Sequence, residues 1–139
     1  MRTRDRGVVW TWWAPQIPIL SHPATAGFVS HCGWNSTLES VTSGVPIVAW
    51  PVRAEQKTNA FFLVKEIGLG IEPEWGPNWS VGKDEVERAV RELMEGEEGR
   101  KVRMRAVELK ESVKKAVAAG GSSMNVLAAV AAEWKERAS

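Results

Sequence analysis

Residues 27–36 read Gly27-Phe28-Val29-Ser30-His31-Cys32-Gly33-Trp34-Asn35-Ser36, a short apolar run that breaks at a glycine and resumes as a polar helical start. An apolar, β-branched or aromatic run bounded by glycine is the pattern of a buried strand. Gly33 then marks a strand-to-helix turn, where a missing side chain lets a ligand approach the backbone. The first N–H groups of the following helix have no partner within it, so the turn is a ready anion site whose geometry suits a phosphate.

Working outward, three more runs have the same texture: Gly7-Val8-Val9-Trp10, Pro46-Ile47-Val48-Ala49-Trp50 and Leu69-Gly70-Ile71. Between and after them the spacing predicts helices over 34–43, 55–67, 81–95, 100–119 and 123–137. Val86, Val90 and Leu93, then Val102, Ala106, Leu109, Val113 and Val117, recur at three and four residues, which sets each group on one helical face. Gly120-Gly121-Ser122-Ser123 supplies a glycine stop and a serine start for a tight corner. Glu74 to Trp79 reads as a surface loop. Strands alternating with helices imply an α/β fold, a Rossmann-like parallel sheet with flanking helices, in one domain spanning residues 1–139.

Open α/β sheets bind ligands at the carboxyl ends of their strands, and three polar clusters stand there. They are Trp13-Ala14-Pro15-Gln16, His31 to Ser36, and Glu55-Gln56. At about 100° per residue, Asn35, Ser36, Glu39, Ser40 and Ser43 share one arc of their helix, and Trp34, Leu38 and Val41 the opposite one. The expectation is that the polar arc faces a ligand while the apolar arc packs. Asn35, Ser36 and His31 can hydrogen-bond phosphates, and Glu39, a turn deeper, suits ribose hydroxyls. Taken singly, the same residues have plainer readings: Asn35 and Ser36 as helix caps, Trp13 as core, Glu55 as a charge at a helix N-terminus, His22 as a structural histidine.

Composition narrows the function classes. Eighteen Lys and Arg against 17 Asp and Glu give a net charge of +1, so no overall field draws the chain to nucleic acid or an acidic membrane. A small-molecule partner is expected. One cysteine, Cys32, rules out an internal disulfide and points to a reducing, cytoplasmic setting. No run approaches a membrane span, and the first residues lack an apolar signal core. With one Cys and no CxxC spacing, zinc is not expected. Ser36 lacks the G-x-S-x-G setting of a hydrolase nucleophile.

Residues 13–56, from Trp-Ala-Pro-Gln through His-Cys-Gly-Trp-Asn-Ser-Thr-Leu-Glu-Ser to Trp-Pro-Val-Arg-Ala-Glu-Gln, resemble the plant secondary-product glycosyltransferase box of the family 1 UDP-glycosyltransferases. Asn59-Ala60-Phe61, Gly68-Leu69-Gly70 and the Gly-Gly-Ser-Ser corner resemble them too. The resemblance implies a partial C-terminal domain of a two-domain GT-B enzyme, one that holds the UDP-sugar. It implies that Trp13 stacks on uracil, the Ala14 backbone reads its edge and Gln16 reaches the ribose. His31, Asn35 and Ser36, beside Gly33, would hold the phosphates and Glu39 the ribose hydroxyls. Glu55 and Gln56 would bind the sugar, with the Trp34 backbone nearby; a Gln at the position of Gln56 leans toward glucose.

The implied reaction is inverting transfer to a hydroxyl of a small lipophilic acceptor, such as a plant phenolic or terpenoid, with no metal and no cofactor. No catalytic residue is assigned within this chain. The family's His base and its orienting Asp belong to an N-terminal acceptor domain, and two further family strands would separate the strand at 7–10 from that at 27–30. The chain alone is therefore expected to transfer no sugar and to bind UDP poorly. The alternative is a stand-alone nucleotide-sugar-binding module without catalysis.

Overall fold

The computed structural model describes residues 5–138. Three parallel strands form its sheet in the order β1-β2-β3: β1 is Phe28–Ser30, β2 Ile47–Ala49 and β3 Gly70–Ile71. Phe28 stands opposite Ile47 and Ser30 opposite Ala49, while Ile47 and Val48 stand opposite Gly70 and Ile71. β2 is buried along its whole length, as a central parallel strand must be. Its side chains alternate between the two faces and so seed two cores. Ile47 and Ala49 join Cys32, Ala60, Leu63, Leu69 and Ala106. Val48 joins Ile71, Ala89, Leu93 and Val102.

The helices are α1 (Gln16–Leu20), α2 (Trp34–Ser43), α3 (Gln56–Phe61), α4 (Lys83–Glu95), α5 (Glu97–Val117) and α6 (Ser122–Arg137). α5 contributes Val102 to one core and Ala106, one turn on, to the other, and so fastens the two sides of the sheet together. The predicted helix over 55–67 divides: α3 ends at Phe61, and Phe62–Ile67 continues as a π-helical turn closed by Gly68 in the left-handed region at φ 72°. The wider turn still buries Leu63, whose carbonyl accepts the Leu69 N–H at 2.9 Å. Gly120 stops the chain after α5 at φ 75°, but Gly121 rather than a serine stands at the N-cap of α6, and neither Ser122 nor Ser123 caps with its side chain. The loop from Glu74 to Trp79 is anchored to α3 by Lys57 Nζ, 3.6 Å from the centre of the Trp79 ring.

Two sequence expectations are corrected. Residues 7–10 form no strand; Val8 and Val9 are 89% and 88% exposed, because no neighbouring strand among the described residues offers their backbone a ladder. On α2 the burial departs in part from the amphipathic expectation, although Val41 packs against the core as expected. Ser36, Thr37 and Ser40 are buried while Trp34 and Leu38 are 53% and 44% exposed. Small hydroxyls let the helix approach its neighbours closely, and Ser40 Oγ is satisfied by donating to the Val45 carbonyl. Among the described residues no helix is long and apolar enough to cross a membrane.

Candidate functional site

The strand-to-helix connection after β1 is built around a residue in an unusual conformation. Cys32 is fully buried and lies at φ 62°, a left-handed backbone that a non-glycine residue adopts only when its surroundings hold it there. Its N–H donates to Ser30 Oγ at 3.1 Å, and its carbonyl accepts from Asn59 Nδ2 at 3.0 Å. Gly33 follows in an extended conformation as the N-cap of α2, accepting the Thr37 N–H at 3.0 Å. A Cβ on Gly33 would lie 2.3 Å from His31 Nε2, so the glycine gives the imidazole room to fold against the turn.

Burial raises the Cys32 thiol from 9.0 to about 11, against the pull of the Trp50 N–H and with a push from the Glu72 charge. Because the folded state favours the protonated thiol, this contribution to stability is complete below pH 9 and is lost as the pH climbs toward about 11. Thermal unfolding followed from pH 8 upward is expected to show a fall in Tm across that window. The component due to the thiol should vanish in Cys32→Ala; an unchanged pH slope in that variant would assign the fall to other groups.

Beside this turn lies a cleft of about 640 Å³, lined by Trp13, Ala14, Pro15, Gln16, Ile17, Pro18, His31, Asn35, Ser36 and Glu39. The fold thus brings the first sequence cluster onto the second. α1 packs across α2, and Gln16 Nε2 donates to Ser36 Oγ at 3.0 Å and to Glu39 Oε2 at 2.6 Å. Gln16 thus lines the cleft while its amide holds the Glu39 carboxylate on α2. Among the described residues Glu39 Oε1 accepts no hydrogen bond and so can accept from a ligand hydroxyl. Trp13 is 95% exposed at the cleft, which leaves its ring faces open to a flat ligand.

The third cluster does not line this cleft. Glu55 is exposed at the N-cap of α3, whereas Gln56 is buried. Gln56 Oε1 accepts the N–H groups of Val52 and Arg53, both at 3.0 Å, which closes the loop containing Ala54 at φ 52°. Its role in holding that loop was not foreseen, although its Nε2 still offers donors to a ligand. Trp34 lies exposed at the start of α2, outside the cleft lining. His22 is set apart as well, its Nδ1 accepting the Ala24 N–H at 3.2 Å, in keeping with a structural histidine. Asn59 is the residue that the reading of polar clusters missed. The available signal was its position three residues after Gln56, on the same side of α3.

The family profile described as "UDP-glucoronosyl and UDP-glucosyl transferase" matches residues 3–113. The chain belongs to this family. It is 50% identical over 134 residues to UDP-glycosyltransferase 72B1 of Arabidopsis thaliana, a match covering 96% of this chain and 28% of the relative. It is 46% identical over 138 residues to hydroquinone glucosyltransferase of Rauvolfia serpentina, covering 99% and 29%. Among solved structures, Phytolacca americana UGT2 complexed with UDP-2fluoro-glucose and pterostilbene superimposes with a TM-score of 0.91 at 45% identity, over 96% of this chain and 30% of that one. A second, TcCGT1 in complex with UDP, gives a TM-score of 0.81 at 49% identity, over 89% and 26%. This UDP-glycosyltransferase chain therefore has the fold of part of a GT-B enzyme and spans less than a third of the length of the relatives it matches.

Proposed function

We propose that this chain is the donor-binding part of a plant UDP-glycosyltransferase that moves a hexose, glucose, from a UDP-sugar to a hydroxyl of a small lipophilic acceptor such as a phenolic or terpenoid, with inversion. The observation that carries the reading is the cleft itself: an open aromatic face at Trp13, a carboxylate aligned by Gln16, and a strand-to-helix turn with His31 and Asn35, all around one hollow. These suit, in order, a base, a ribose and a diphosphate. Uracil would stack on Trp13 beside the Ala14 backbone, the ribose hydroxyls would donate to Glu39, and the phosphates would accept from Asn35, Ser36, His31 and the N–H groups at Gly33 and the start of α2.

A departing UDP gains negative charge, which fixed donors in such a turn stabilise without a metal. Glu55 and Gln56, at the start of α3, would bind the sugar, beyond the phosphate end of the cleft. Attack by the acceptor hydroxyl requires a base, and the reading places that base in the part of the relatives' length that this chain does not represent. The single buried cysteine fits a cytoplasmic protein.

The test uses a chimera joining this chain to the upstream part of the Arabidopsis relative. Calorimetric titration should detect UDP binding, and Gln56→Ala should lower turnover of UDP-glucose more than affinity for plain UDP. Since Gln56 also closes the loop at Arg53, a modest fall in Tm should accompany this. Absence of UDP binding in a folded chimera would overturn the reading. Equal losses for UDP and UDP-glucose would remove Gln56 from the sugar site.

A further inference from the structure

We propose that Asn59 is a positioning residue for the turn at 31–33: its side-chain amide holds the left-handed Cys32 peptide and thereby aims the Gly33 N–H. The first support is the hydrogen bond itself. Asn59 Nδ2 donates to the Cys32 carbonyl at 3.0 Å across 27 residues of sequence. An amide nitrogen can only donate and a carbonyl can only accept, so the pairing has a single sense.

The second support is the conformation at the receiving end. Cys32 sits at φ 62°, where an L-residue with a side chain is disfavoured, and it is held from both sides: by Ser30 through its N–H and by Asn59 through its carbonyl. Losing either contact lets the residue relax toward negative φ. A trans peptide is planar, with its C=O and N–H pointing in opposite directions. Fixing the Cys32 carbonyl toward α3 therefore fixes the Gly33 N–H away from α3. Gly33 is also the N-cap of α2, so the same peptide sets how that helix starts.

The third support is that α3 does this twice. Gln56, three residues before Asn59, uses its own side-chain amide to close the loop around Ala54, an exposed residue that also lies at positive φ, 52°. One short helix thus braces both strained connections at the carboxyl ends of β1 and β2. Through Asn59 and Gln56, the phosphate end and the sugar end of the proposed donor site share a support. That last consequence rests on the function proposed above; the bracing of Cys32 does not.

Cys32 is the only cysteine in the chain, so a thiol-specific reagent reports on this turn alone. In the native state the thiol is fully buried and reacts only when the turn opens. Labelling of the 139-residue chain is to be followed at low urea in wild type, Asn59→Ala, Asn59→Asp and Val102→Ala. Asn59→Asp keeps the size but removes the donor. Val102→Ala weakens the other core and serves as a control for global loss of stability. Labelling should quicken about tenfold in both Asn59 variants, with a rate that does not depend on urea, because the opening is local. Val102→Ala should quicken labelling only along with global unfolding, in a urea-dependent manner.

The proposal is overturned if Asn59→Asp labels at the wild-type rate, or if both Asn59 variants follow the urea dependence of Val102→Ala. The brace and the donor site are separable: faster, urea-independent labelling in the Asn59 variants supports the brace whatever the outcome for UDP, and the donor site stands or falls on the calorimetric titration of the chimera.

Discussion

Glu39→Ala and Trp13→Ala are each expected to weaken UDP binding by roughly five- to a hundredfold in a chimera of relatives' length, measured by calorimetric titration. The two losses have different physical origins. Glu39 would contribute a charge-assisted hydrogen bond to a ribose hydroxyl, worth about 1.5–3 kcal/mol. Its carboxylate is already oriented by Gln16 at 2.6 Å, so little ordering entropy remains to be lost on binding. Removing Glu39 also leaves the Gln16 amide with Ser36 as its remaining partner in this region. Gln16→Ala should therefore weaken binding too, by less than Glu39→Ala, through a misaligned carboxylate. Trp13 would contribute stacking of about 1–3 kcal/mol per base, and its exposure means that Trp13→Ala removes no packing. Tm should stay near wild type in Trp13→Ala while affinity falls. Unchanged affinity in both Glu39→Ala and Trp13→Ala would dissociate this cleft from the donor.

The second large effect is on transfer. The chain alone is expected to give no glucose transfer above the uncatalysed control with a panel of phenolic acceptors, and the chimera to give measurable turnover. General base catalysis contributes about 10²–10⁴-fold, and the proposed function assigns no such base among the described residues. His31 folds against Gly33 in the turn proposed for the phosphates, His22 is bonded to its own loop outside the cleft, and Glu55 stands at the start of α3 outside the cleft lining. The chain alone is also expected to bind UDP weakly. The reason first drawn from the sequence, a strand at 7–10 stranded from its neighbours, does not hold, since those residues form no strand. The structure supplies another: Trp13 is 95% exposed with its ring unsupported, whereas Gln16 is already fixed on α2, so ordering the aromatic would fall to the ligand. Transfer by the chain alone would require a base among His22, His31 and Glu55 and would refute the division of labour proposed here.

The sequence by itself determined the class of fold and named the candidate site residues. Apolar runs at 28–30, 47–49 and 69–71, each followed by a helical period, can be covered on both faces only in a parallel α/β sheet, and three such strands are found. Two of the three polar clusters, 31–36 and 55–56, follow strand ends, and local chemistry marks the first: a glycine at the turn, an amide and a hydroxyl at the helix start. At 7–10 the same local signal misled, because an apolar run becomes a strand only where a neighbour completes its ladder. The burial on α2 was likewise not legible. Periodicity sorts polar from apolar side chains, but a helix buries whichever face its neighbours approach, and α1 and α5 approach the face carrying Ser36 and Ser40.

Only the tertiary structure decided which amide lines the cleft and which hold the loops. Gln16, Gln56 and Asn59 are all amides near the three clusters, and nothing in their spacing separates their tasks. Packing does. α1 lies across α2, so Gln16 meets Glu39, and α3 reaches the turn after β1, so Asn59 meets the backbone of Cys32, whereas Gln56 bonds only the nearby backbone of 52–53. Hydrogen bonds between residues 20 or more apart in sequence depend on how whole helices dock, and docking is set by the burial of Ile47, Leu63 and Ala106 rather than by the amides themselves. A left-handed cysteine is invisible in a sequence for the same reason, since its conformation is imposed by partners that arrive from elsewhere in the chain.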